Sequence, residues 1–325
     1  MLRIALVALL APIFASPASS AEPERGTLKM PADDPKALIA ERYRLKEYSG
    51  EYSLTLRYDL RHSGVAVYDL TFPSPVKSSV PENNIVYAQY FVPRGKEKGK
   101  VPAVIVLDIM QGNQVIARGE AMWLAQNGVA ALAVVLPYYN ERRPANSRVK
   151  LVSTDIPRTI EGIRQGVLDC RCAAAWLASR PEVDAESLGM VGTSLGSFLT
   201  ALTAANEPRI KNVCLILGGG GLVDAYYDHP KAKPVTEWID LLGGKNLVKK
   251  LIAPVDPITY AAQLKDKNLL MIAAKNDEIV PPKAAQALWE VTGKQRIVWL
   301  DAGHITAAFY TMSVLCEIRD HVRGK

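Results

Sequence analysis

Three early segments alternate apolar and polar residues: "LTLRYDL" (54–60), "GVAVYDLTF" (64–72) and "NIVYAQYFVP" (84–93). A side-chain period of two with one apolar face predicts antiparallel strands that are half buried. The stretch before them, 22–50, is polar and punctuated by prolines, and the only element it predicts is a helix near 35–45. The pattern changes at "VPAVIVLDI" (101–109), where an almost unbroken apolar run predicts a strand covered on both faces.

From there apolar runs alternate with segments of helical period. Helices are expected over 113–126, 156–180, 195–205, 282–291 and from the last strand to about 322. The runs between them are "VAALAVVLPYY" (129–139), "SLGMVGT" (187–193), "IKNVCLILGG" (210–219), "NLLMIAAKND" (268–277) and "RIVWLDAG" (296–303). Such alternation builds a parallel sheet with helices on both faces, here preceded by antiparallel strands, so the expected fold is α/β with a mostly parallel mixed sheet. No repeat or linker divides the chain, and 22–325 is expected to form a single domain. The stretch 221–266 is too long for a simple connection and is expected to form a small cap-like insertion.

One apolar run ends in chemistry. "GTSLG" (192–196) sets Ser194 between two glycines where a buried strand gives way to a helix. The glycines permit the crowded turn of a nucleophile elbow, which lifts the serine hydroxyl above the carboxyl end of the sheet. At the helix start the Leu195 N–H faces a developing oxyanion. A serine needs a base, and the chain has only His62, His229, His304 and His321. His304 follows the last buried strand, in the chain order such a fold requires. His321 lies in a charged tail, His229 in the irregular insertion and His62 in an early turn, and all three read as surface residues. The orienting acid is expected to be Asp277, which ends the penultimate strand before a Pro-Pro pair. Asp256, one strand earlier, is its rival, Asp301 is a less natural partner, and the neighbouring Glu278 is expected to meet solvent. A second oxyanion N–H is expected from Ile109 or, next, Met110, in the loop "DIMQGNQ". Asp108 in that loop either modulates the serine or caps the turn. Of Tyr138, Tyr139, Arg142 and Arg143, one arginine either binds a substrate carboxylate or belongs to a solvated loop.

Composition adds compartment more than chemistry. The first 21 residues carry Arg3, an apolar run over 4–14 and small residues at Ser19 and Ala21, which is the layout of a secretory signal cleaved after Ala21. The run is too short to span a bilayer, so an exported, periplasmic or extracellular protein without stable membrane insertion is expected. The net charge of +6 falls to +5 without Arg3, and the one dense basic run, 94–100, reads as a hairpin turn rather than a nucleic-acid surface. Cys170 and Cys172 lie on different faces of one helix and cannot readily bridge; pairing with Cys214 or Cys316 stays open. No metal spacing is present, and no cofactor is expected.

On the elbow, "NDEIVPP" and "AGHI", the chain resembles the α/β-hydrolase superfamily over roughly residues 85–320, and within it the dienelactone hydrolase-like and bacterial acetyl-esterase-like branches. "CAAAWLASRPEVDAESLGMVGTSLGSF" is also similar to the unit of prolyl-oligopeptidase-like enzymes. The resemblance implies Ser194 as nucleophile, His304 as base and Asp277 as acid, with oxyanion N–H groups at Leu195 and Ile109 or Met110. It departs from dienelactone hydrolases, which carry cysteine in place of Ser194, and from the many lipases with His-Gly after the third strand. The expected activity is hydrolysis of a small carboxylic ester. The alternatives are a serine peptidase of the prolyl-oligopeptidase kind and a non-catalytic binding protein on the same fold.

Overall fold

A computed structural model describes residues 22–95, 99–227 and 233–324. The proposed signal segment 1–21, the centre of the basic turn at 96–98 and His229 lie outside the described residues.

The half-buried alternating segments pair as antiparallel strands: β1 (Glu24–Met30), β2 (Tyr48–Leu60), β3 (Val65–Pro73) and β4 (Ile85–Pro93). The fully apolar runs form β5 (Val101–Leu107), β6 (Ala130–Val134), β7 (Val183–Thr193), β8 (Asn212–Ile216), β9 (Asn268–Ala274) and β10 (Arg296–Leu300). They are parallel to one another and join the first four in a ten-stranded sheet of order β1-β2-β3-β4-β6-β5-β7-β8-β9-β10. Successive side chains of the central strands go to opposite faces. Ile105, Leu107, Met190 and Leu215 pack against α2 (Ile156–Ala178) and α3 (Leu195–Asn206). Val104, Val106, Val191 and Cys214 pack against α1 (Val115–Gln126) and α8 (Thr311–Val322). The strand order reverses around β5, which has β6 on one side and β7 on the other, and a crevice opens at such a point above the carboxyl ends of the strands.

Several expectations are corrected. The helix near 35–45 reduces to a single 3-10 turn, Glu41–Tyr43. Tertiary anchors override its local pattern: Asp33 accepts the Leu45 N–H and pairs with Arg171, while the Tyr43 hydroxyl donates to the Pro254 carbonyl. Strand β1 was not foreseen, because only Leu28 and Met30 of this edge strand are buried and its charged residues face solvent. The stretch 221–266 is largely helical, with α4 (Leu222–Tyr227), α5 (Lys233–Leu241), α6 (Lys245–Ile252) and a 3-10 helix at Pro257–Leu264. The remaining helix, α7 (Pro282–Val291), follows β9. His321 is buried rather than solvated, with Nε2 3.0 Å from the Asn268 carbonyl. All four cysteines are unbridged, and Cys170, Cys172 and Cys214 are buried. No helix among the described residues is long and apolar enough to cross a membrane.

Candidate active site

The elbow is built by the two glycines. A Cβ on Gly192 would lie 2.3 Å from the Gly196 carbonyl oxygen, and one on Gly196 would lie 2.3 Å from the Leu107 carbonyl oxygen at the end of β5. No other residue allows the turn to pack so closely against the neighbouring strand. Between them Ser194 is held at φ 52° and ψ −114°, a conformation strained for a residue with a side chain. Its N–H donates to the Ile216 carbonyl at 2.8 Å, which ties the turn to β8.

His304, beyond β10, places Nε2 3.0 Å from Ser194 Oγ and Nδ1 2.7 Å from Asp277 Oδ2. A carboxylate only accepts, so Nδ1 carries the proton and Nε2 turns its lone pair to the serine hydroxyl. Asp277 is buried, and its Oδ1 accepts the N–H groups of Ile279 and Val280 at 2.9 and 2.7 Å, which fixes the carboxyl plane. The rivals stand elsewhere: Asp256 caps the 3-10 helix it precedes by accepting the Ile258 N–H and also accepts the distant Gly221 N–H, and Asp301 is exposed.

Glu278 does more than meet solvent, because its Oε2 accepts the backbone N–H of His304 at 3.1 Å and so holds the histidine loop. Nothing in its sequence position singled it out. Glu120 was also missed, although its signal was readable: on α1 the buried positions are 117, 120, 121, 124 and 125, and a glutamate interrupts that apolar stripe. Its Oε1 accepts the hydroxyl of Thr193, next to Ser194, at 3.2 Å, and its Oε2 is buried without a hydrogen-bond partner among the described residues. Burial pushes the Glu120 carboxyl up to about 8, with the Asp108 charge adding to that rise and the Thr193 hydroxyl opposing it.

The Leu195 N–H opens α3, where no intrahelical carbonyl can accept it. Ile109 and Met110 both line the pocket beside Ser194, but the Ile109 N–H donates to Asp108 Oδ1 at 2.9 Å. Burial raises the Asp108 carboxyl above its usual range, while the amides of Ile109, Gln114 and Ala117 favour its charge, so Asp108 organises the turn into α1. Arg142 is fully buried away from the pocket; it pairs with Asp169 at 2.7 Å and donates to the carbonyls of Val135 and Asn83. Arg143 is exposed and lines a separate cleft of about 230 Å³ with Tyr138, Tyr139 and Lys150. The pocket behind Ser194 and His304 measures about 660 Å³ and is walled by α1, β8, the 3-10 turn Thr306–Tyr310 and α8. Among the described residues, none of 221–266 lines it. No group of metal-ligating side chains occurs among the described residues.

Residues 38–226 match the family model described as alpha/beta hydrolase domain containing 18, and residues 164–297 match that of the prolyl oligopeptidase family. Among curated proteins, an uncharacterized protein of two Mycobacterium tuberculosis strains is 28% identical over 165 residues, covering 46% of this chain and 35% of the other. The chain thus spans about a third of the length of the curated relatives it matches. Of solved structures, an acetyl xylan esterase from Paenibacillus sp. R4 superposes with a TM-score of 0.65 at 20% identity, over 82% of this chain and 87% of that one. Acetyl xylan esterase 1 from Thermoanaerobacterium sp. JW/SL YS485 gives 0.61 at 21% identity with the same coverage. An esterase of Pyrococcus furiosus gives 0.56 at 14% identity, over 82% and 94%. At these identities the likeness is one of fold.

Proposed function

This chain belongs to the family described as alpha/beta hydrolase domain containing 18, and we propose that it is an exported serine hydrolase that cleaves a carboxylic ester. The observation that carries the reading is the relay from Asp277 through His304 to Ser194, at 2.7 and 3.0 Å, on an elbow held at φ 52°. Ser194 Oγ attacks the ester carbonyl while His304 Nε2 takes its proton. The negative charge that develops on the carbonyl oxygen is held by the N–H groups of Leu195 and Met110, since that of Ile109 is engaged by Asp108. The tetrahedral adduct collapses, His304 returns the proton to the departing alkoxide, and the alcohol leaves an acyl-serine. Water, deprotonated by the same imidazole, attacks this ester and releases the acid and the serine. Asp277 stabilises the imidazolium formed in each half.

The test is labelling by a fluorophosphonate together with turnover of p-nitrophenyl acetate. Both are expected in the native chain and absent from Ser194→Ala, and turnover that survives the substitution overturns the mechanism. A second reading, a serine peptidase, draws on the match of 164–297 to the prolyl oligopeptidase family. Cleavage of an aminoacyl-proline anilide in preference to the acetate favours it.

A further inference from the structure

The pocket beside Ser194 is large and almost wholly apolar, with Val115, Ile116, Ile216, Leu217, Val314 and Leu315 among its walls. A cavity of about 150 Å³ is enough for a six-carbon ring, so about 660 Å³ far exceeds what an acetyl group fills. Its rim is apolar too: Val115 and Ile305 are 73% and 68% exposed where they meet the opening. Apart from Ser194 and His304, the one ionisable side chain among the described lining residues is Glu120, whose raised carboxyl is protonated in most molecules at neutral pH. The pocket therefore presents no full charge to a group lying in it.

Gly119 is the feature that opens this space. Glycine is a poor choice inside a helix, yet Gly119 stands mid-way along α1, lines the pocket, and a Cβ built on it meets nothing within 4 Å. Neither backbone conformation nor close packing requires glycine here. Gly119 is exposed and shares the pocket-lining face of α1 with Val115, Ile116 and Glu120, so a side chain at 119 would stand in the mouth of the pocket.

We infer, resting on the hydrolase reading above, that Gly119 keeps the pocket open for a neutral aliphatic acyl chain well beyond acetyl, so that the substrates are esters of medium-chain acids. Each methylene transferred from water into such a pocket multiplies binding by about fourfold. Where the transition state shares that contact, kcat/KM climbs with chain length until the pocket is full.

The experiment measures kcat/KM for p-nitrophenyl acetate, butyrate and octanoate, kept below aggregation, in the native chain, Gly119→Ala and Gly119→Phe. The native chain is expected to favour octanoate over acetate by at least tenfold. Gly119→Phe is expected to cut the octanoate-to-acetate ratio at least tenfold, and Gly119→Ala to change it little while raising the melting temperature. Gly119→Leu replaces the phenylalanine variant if that chain does not fold. Acetate as the best native substrate, or a ratio unmoved in a folded Gly119→Phe or Gly119→Leu, overturns the inference and leaves the hydrolase reading standing. Absence of both turnover and fluorophosphonate labelling in the native chain defeats the hydrolase reading itself.

Discussion

Glu120 shows how one residue carries two consequences. Its neighbours are the Thr193 hydroxyl on β7, the Asp108 carboxylate after β5 and the Cys214 thiol on β8, and none of them is a cation. With the folded value near 8 and the ordinary value at 4.5, both states hold the proton below pH 4.5 and stability is complete there. Between 4.5 and about 8 unfolding releases a proton, so stability falls as pH rises, by about 1.4 kcal/mol per pH unit at most, and above 8 the loss is complete. Glu120→Gln removes that slope. Chemical denaturation at pH 5, 7 and 9 should show the variant gaining on the native chain by about 2–3 kcal/mol from 5 to 7 and by about half that from 7 to 9, most of it below pH 8. A constant difference would mean that Glu120 ionises in the fold without penalty.

At the scale of elements, the chemistry depends on how strand ends are tied together. The loop after β6 is held by Arg142, which reaches Asp169 on α2 and the carbonyls of Val135 and Asn83, all within the protein interior. Removing one member of such a pair strands the other charge. Arg142→Ala is expected to lower stability by about 3–5 kcal/mol, read from denaturant midpoints, while fluorophosphonate labelling of the folded fraction persists. Loss of labelling in a folded variant would instead place this arginine at the reacting centre. The sequence left Arg142 and Arg143 equivalent, because both follow the same strand. Only packing separates them, burying the first against α2 and leaving the second in solvent.

The whole molecule turns one edge of its sheet into a site. Ser194 follows β7, His304 follows β10 and Asp277 follows β9, so the residues converge because the strands are parallel and their carboxyl ends share one side. Among the described residues the walls of the pocket come from the start of α1, from β8 and from the C-terminal turn and helix. Export is a proposal at this scale. The chain recovered from a bacterial periplasm should begin at Glu22, by N-terminal sequencing and intact mass. Recovery of the uncleaved chain in the membrane fraction would overturn it.

Periodicity determined the strand series from 54 onward and the helices α1, α2, α3, α7 and α8, but not the helices within 221–266. The glycine-flanked serine and the chain order of the candidate residues named Ser194, Asp277 and His304, because a parallel sheet obliges site residues to follow its strands. Local pattern could not yield β1, the single turn at 41–43, the burial of His321, the tie from Glu278 to the His304 N–H, or the engagement of the Ile109 N–H by Asp108. Each depends on partners far away in the chain or on the exact aim of a backbone group, which no periodicity encodes. The open space at Gly119 belongs with them, since a missing side chain becomes a feature only when the surrounding walls are in place.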